Sequence, residues 1–168
     1  GTRQEGGVLY ATVCGVVERV SQLVSVRPLG SRYAAEAGDV VVGRVVEVAG
    51  KRWKLDVGAR QEAVLALSAV DLPGGVQRRR TESDELHMRE LYAEGDVLSC
   101  EVQSVFQDGL PSLHTRSSKY GKLRRGQLVC VPAALVKRLK QHFHDVPGLG
   151  VSLVLGRNGH VWVGALGG

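Results

Sequence analysis

The sequence predicts a mainly β chain that closes with a small α+β module. Valine is abundant and falls in runs of strand length, as residues that favour a pleated surface do. Gly, Pro, Asn and Asp punctuate those runs at short intervals, the spacing expected of turns between strands. Helical character is confined to two stretches, and the clearer one, P-A-A-L-V-K-R-L-K-Q-H-F-H, lies in the last third of the chain.

At 168 residues the chain has room for one ordinary domain or for two to three small modules with modest cores. Its 22 Lys and Arg against 17 acidic residues give a formal charge of +5. That mild excess points to an anionic partner such as nucleic acid. Cys14, Cys100 and Cys130 stand far apart in apolar runs without C-x-x-C spacing, the usage of reduced intracellular thiols rather than of disulfides or a metal site. No apolar run reaches the roughly 18 residues of a membrane span, so no membrane partner is expected. The opening G-T-R-Q-E-G-G is neither a signal peptide nor a clear transit peptide. A start at Gly and an end at A-L-G-G are what a fragment of a longer protein would show.

Three sections follow in order. Residues 1–36 form an N-terminal β-domain of two or three short strands, ended by Pro28 and Gly30. Residues 37–117 hold V-V-V-G-R-V-V-E-V-A, a turn at Gly50-Lys51, R-W-K-L-D-V-G, E-A-V-L-A-L, then V-L-S-C-E-V-Q-S-V-F, a turn at Asp108-Gly109, and L-P-S-L-H-T-R. Five strands with one long insertion after the third match a five-stranded Greek-key OB barrel. The insertion breaks at Pro73-Gly74-Gly75, carries the triplet Arg78, Arg79 and Arg80, and offers a helix start at Thr81 or Ser83 with apolar Leu86 and Leu91. Residues 118–168 read as strand, helix, strand, strand. The helix starts at Pro132 and gathers Leu135, Val136, Leu139 and Phe143 on one face, with Lys137, Arg138 and Lys140 facing away.

An enzyme needs a constellation of reactive groups, and none is present. The acids are scattered, and neither a nucleophile elbow nor a phosphate loop occurs. His142-Phe143-His144-Asp145 is the best metal-like cluster, but two His at this spacing diverge on a helix. No metal, cofactor or catalytic residue is therefore expected. Single-stranded RNA is the better partner, because an OB barrel commonly binds strands along one sheet face and its loops. Alternation on the second barrel strand sends Trp53, Leu55 and Val57 inward and Arg52 and Lys54 outward. RNA contacts should then be electrostatic and sequence-tolerant. The candidates are Lys51, Arg52 and Lys54 at the first barrel turn, Arg78, Arg79 and Arg80 in the insertion, and Arg116, Lys119 and Lys122 after the last barrel strand, where Arg124 and Arg125 follow.

The runs Y-A-A-E-A-G-D-V-V-V-G-R-V-V-E-V, K-R-W-K-L-D, L-P-G-G-V-Q-R-R-R, D-E-L-H-M-R, E-G-D-V-L-S-C-E-V-Q-S-V-F, S-L-H-T-R-S-S-K-Y-G-K-L and H-F-H-D, in order across nearly the whole chain, resemble the ribosomal RNA-processing protein four family, a cap subunit of the RNA exosome. The resemblance implies an N-terminal β-domain, a ribosomal-protein-S-one-type OB barrel and a KH domain, the last incomplete in a chain that stops at Gly168. It also implies a non-catalytic subunit that sits with other cap subunits on a ring of RNase PH-like subunits. There it would guide RNA to a 3'-5' exoribonuclease, in rRNA processing and RNA decay, in nucleus, nucleolus and cytoplasm. Many barrels of this type expose aromatics on the second strand and a His on the third, where this chain has Lys51, Lys54 and Ala66. The rival reading is a free-standing RNA-binding regulator or translation factor with OB and KH modules.

The stretch Gly156-Arg157-Asn158-Gly159 has the form of the loop with which KH domains clamp an RNA backbone. A clamp of that kind joins two helices, whereas V-S-L-V-L before it and H-V-W-V after it alternate as strands. Asn-Gly is a strong hairpin signal, so the loop is expected to be a turn, with Trp162 packed in the module.

Overall fold

The computed structural model describes residues 2–28, 30–71 and 87–167. Two compact units divide the chain between Ser31 and Arg32. The first is a pair of antiparallel hairpins, β1 (Thr2–Glu5) with β2 (Val8–Ala11) and β3 (Gly15–Val20) with β4 (Leu23–Pro28). These four strands exceed the two or three expected. β1 precedes the apolar runs that predict strands, and its T-R-Q-E has no apolar alternation to betray it. Its sign was the Gly6-Gly7 pair, both at positive φ in a tight turn. Val17, Val20, Leu23 and Val24 are each more than three-fifths exposed.

The second unit is built on a closed five-stranded barrel. β5 (Val40–Ala49), β6 (Arg52–Asp56), β7 (Ala63–Val70), β8 (Val97–Val105) and β9 (Pro111–Thr115) run in the order β8-β5-β6-β7-β9, and a β8–β9 pairing closes the ring. β9 runs parallel to β7, and the other pairs are antiparallel. The period of two turns Trp53, Leu55, Leu65, Leu98 and Leu113 into a core where each is fully buried. Each such leucine is worth roughly 1.5–3 kcal/mol of transfer from water. Trp53 also donates its indole N–H to the Tyr92 carbonyl at 2.9 Å, with the two rings edge to face at 5.3 Å.

Of the insertion, the described part begins at His87 with one helical turn, α1 (Met88–Leu91), whose Met88 is buried in the barrel core beside Tyr92. The expected helix start at Thr81 or Ser83, and Arg78, Arg79 and Arg80, lie outside the described residues.

Beyond the barrel, β10 (Gly121–Lys122) pairs with β8, and a four-stranded antiparallel sheet follows. Its order is β11 (Gly126–Cys130), β14 (His160–Ala165), β13 (Val151–Leu155), β12 (Phe143–Val146). The helix expected from Pro132 does not form. A single 3-10 turn, Ala133–Leu135, leads instead into an irregular run and then β12. The backbone groups that a helix would pair internally find other partners, one of them local and the rest from elsewhere in the chain. Arg157 donates to the carbonyls of Ala133 at 3.3 Å and Val136 at 2.7 Å, Leu139 N–H donates to the His142 ring at 3.4 Å, and Leu155 N–H to the His142 carbonyl at 2.8 Å. Tertiary partners thus override a merely local preference. The supposed apolar face is not buried as a face either: Val136 is 9 % exposed, Leu135 71 %.

A second cluster of Val42, Val97, Val154 and Trp162, with Phe143, Leu123 and Leu128 around it, packs the sheet against the outer side of β5 and β8. Trp162 is accordingly a core residue.

Candidate nucleic-acid interface

Those of the expected cations that lie among the described residues fall on two separate flanks of the barrel. Lys51 sits in the tight β5–β6 turn at φ 64, beside Gly50 at φ 58. Arg52 and Lys54 point outward from β6, and Lys54 is ion-paired with Glu47 on the neighbouring strand. The outward residues of β6 and β7 are Arg52, Lys54, Asp56, Val64, Ala66 and Ser68. This face is cationic at one end and has no ring on which a base could stack.

Lys119 and Lys122 lie on the other side of β5, where β10 joins β8. Lys122 is held by Asp96. Burial pulls the Asp96 carboxyl upward, but hydrogen bonds from Lys122 and the Ala93 amide, with the charges of Lys122 and Arg124, outweigh it and leave its pKa below the ordinary value. Tyr120 donates its hydroxyl to Glu101, and burial together with that carboxylate pushes the phenol well above its usual range. Lys119 Nζ stands 4.9 Å from the Tyr120 ring centroid and 5.9 Å from that of Phe143, within reach of both π-faces. Arg116 is exposed just after β9. Reading the sequence placed Phe143 on a helix face and so missed it here. Its position in β12, opposite Val154 of β13, is what turns it toward Lys119.

The loop Gly156-Arg157-Asn158-Gly159 does not face solvent. Backbone bonding closes it as a turn between β13 and β14: Gly156 N–H donates to the His160 carbonyl at 2.9 Å and Gly159 N–H to the Gly156 carbonyl at 2.9 Å. Asp39, just before β5, bonds Val102 of β8, and Val45 of β5 bonds Asp96, just before β8, so the alternation of an antiparallel pair points the Val42 amide and carbonyl the other way. β6 has already ended there, at Asp56. The Asn158 carboxamide takes the missing strand's place. It accepts from Val42 N–H at 3.2 Å, and its NH2 donates to the carbonyls of Val42 at 2.8 Å and Val57 at 2.9 Å. Arg157 N–H donates to the Val40 carbonyl at 2.7 Å, and His160 Nδ1 to that of Val42 at 2.9 Å. A Cβ on Gly159, at φ 82, would run into the Val131 carbonyl oxygen. A second tie lies nearby: Arg138 bonds one oxygen of buried Asp39 at 2.8 Å while Tyr33 donates to the other at 2.8 Å. Loop and barrel are one hydrogen-bonded block.

His142 and His144 do not converge: His142 bonds the Leu155 carbonyl and His144 that of Gln141. Among the described residues no group of three or more side chains could hold a metal ion, and no helix is long and apolar enough to cross a membrane.

The family model for the RRP4 S1 domain matches residues 32–104, and a KH-domain model matches residues 126–166. The chain is 55 % identical over 163 residues to exosome complex component rrp4 of Schizosaccharomyces pombe, an alignment that covers 97 % of this chain and 49 % of that protein. The chain belongs to the RRP4 family. Identity to exosome complex component RRP4 of Bos taurus is also 55 %, over 97 % of this chain and 55 % of that one. To exosome complex component Rrp4 of Thermococcus kodakarensis it is 31 %, over 97 % and 64 %. The chain thus spans about half the length of its eukaryotic RRP4 relatives. A crystal structure of a protein named for RNA binding in the exosome complex superposes with a TM-score of 0.59 at 21 % identity, over 82 % of this chain and 78 % of that one, and shares the fold. In RRP4 terms the five-stranded barrel is the S1 domain and the β11–β14 sheet belongs to the KH domain.

Proposed function

We propose that this chain is a non-catalytic cap component of an RNA exosome, which holds single-stranded RNA by its phosphates and passes it to a 3'-5' exoribonuclease. The observation that supports this best is the welded barrel and KH-like block, with cations on two flanks and no aromatic platform on β6 and β7. Such a surface grips phosphates without reading bases, as a conduit for every sequence requires. The loop that would clamp RNA in a helical KH setting is spent on the weld. The relatives' names supply the assembly. RNase PH-like ring subunits and the other cap subunits are the proposed partners, and the apolar side chains exposed on β3 and β4 offer contact area for them. Nucleus, nucleolus and cytoplasm are the proposed sites of action.

Native mass spectrometry of the tagged protein from its own cells tests this reading. Recovery with ring and cap subunits supports it. A monomer that binds one short RNA motif tightly, with no ring subunit attached, would establish the free-standing regulator instead. Degradation of RNA by the purified chain in magnesium or phosphate would overturn the non-catalytic assignment.

A further inference from the structure

A cavity of about 280 Å³ opens between β10 and the β12–β13–β14 sheet, lined by Lys119, Lys122, Leu123, Arg124, Phe143 and Trp162. Its walls are not a generic basic patch. Three cations face one carboxylate, Asp145. The floor is apolar, since Trp162 and Val154 belong to the second core cluster and Leu123 and Phe143 pack on it. One wall is aromatic: Phe143 leans on Tyr120 with centroids 5.9 Å apart, and Tyr120 is fixed from behind by Glu101 and by the edge of His114. The volume is near the lower end of ligand pockets, about 300 Å³, so it admits one flat ring with its attached anion at a time.

Resting on the RNA-binding reading above, we propose that this cavity is a subsite for a single nucleotide of the RNA strand, its base against Phe143 and its phosphate held by Lys119, Lys122 and Arg124. Stacking on an aromatic beside a cationic track is the usual way to hold single strands without reading sequence. Lys119 now covers the Phe143 and Tyr120 rings. A base entering there replaces the ammonium over the π-face and frees it for the phosphate. Lys122 is ion-paired with Asp96, whereas among the described residues neither Lys119 nor Arg124 has an ion pair within 4.0 Å, and Arg124 feels Asp96 only at longer range. Arg124 and, once displaced from the rings, Lys119 are therefore the cations freest to take a phosphate. An acidic peptide would also be drawn to the charges, but it would leave the aromatic wall and apolar floor unused.

The test is equilibrium binding of fluorescent oligouridylate to the intact protein across a salt series. Phe143→Leu keeps an apolar side chain on the Trp162 cluster and removes the π-face. It should weaken binding about fivefold or more while leaving the salt dependence unchanged, and Phe143→Tyr should restore affinity. Arg124→Gln should lower the slope of log K against log salt by about 0.7, the contribution of one phosphate on a single strand. If the unaltered protein fails to bind oligouridylate at all, the RNA-binding reading falls and the subsite with it. If it binds and neither Phe143→Leu nor Arg124→Gln changes affinity or slope, the subsite alone is refuted and the barrel flank holds the RNA. Loss of polyglutamate binding in Arg124→Gln, with oligouridylate binding intact, would reassign the cavity to an acidic protein segment. Thermal melts of each variant within a few degrees of the parent exclude unfolding as the cause.

Discussion

Replacing Asn158 with Ala removes a carboxamide that is 4 % exposed and makes three hydrogen bonds to the barrel backbone. His160 still bonds the Val42 carbonyl, so the groups stranded without a protein partner are Val42 N–H and the Val57 carbonyl. A net hydrogen bond is worth about 1 kcal/mol, and a stranded buried group costs roughly 1–3 kcal/mol. Together these give a loss of about 2–4 kcal/mol. With a urea dependence of about 2 kcal/mol per molar, the unfolding midpoint should fall by about 1–2 M. Far-UV circular dichroism during urea titration reads this directly. Asn158→Asp should cost at least as much, because it sets a carboxylate against two carbonyl oxygens and removes both donors. A shift below about 0.3 M for both variants, combined with a large loss of RNA affinity, would refute the weld and restore the loop as an RNA clamp.

Gly159→Ala sets a Cβ against the Val131 carbonyl at a φ of 82, and should lower stability by more than about 1–2 kcal/mol, read as a drop in melting temperature. Trp53→Phe loses the bond to the Tyr92 carbonyl and strands that oxygen in the core; a loss of about 2 kcal/mol is expected, seen in the urea midpoint and in near-UV dichroism. The depressed pKa of Asp96 means that its bond to Lys122 stabilises the fold fully above the ordinary value of 3.8 and is lost as pH falls through the lower folded value. The stability gap between the parent and Asp96→Asn should therefore stay constant from about pH 7 to 5, remain under about 1 kcal/mol for so exposed a pair, and vanish in acid. Arg52→Gln should reduce the salt slope of oligouridylate binding by about 0.7 if β6 carries a phosphate contact; an unchanged slope would remove β6 from the RNA path.

The barrel was legible because its physics is local. Alternation of Trp53, Leu55, Leu65 and Leu113 and the turns at Gly50-Lys51 and Asp108-Gly109 each act over a few residues, and all five strands lie where those signals put them. The segment after Pro132 was misread for the opposite reason. Its helical pattern is real, but Arg157 and Asp39, which claim polar groups of the segment, come from elsewhere in the chain, while His142 takes the Leu139 amide from within it. No short window on the sequence contains Arg157 or Asp39 together with the segment. The cavity beside Phe143 was hidden in the same way, since Lys119 and Phe143 meet only because β12 pairs with β13. The Asn-Gly turn could be read as a hairpin, yet nothing local told that its carboxamide completes another strand's ladder.

That ladder has a consequence for synthesis. Val42 leaves the ribosome 116 residues before Asn158, which at roughly 5–20 residues per second is a delay of about 6 to 23 s. Throughout that interval the first barrel strand carries an amide and a carbonyl with no partner, on an edge that any passing strand could pair with. Truncated nascent chains that end before residue 158 should therefore engage holdase chaperones more strongly than chains only a few residues longer.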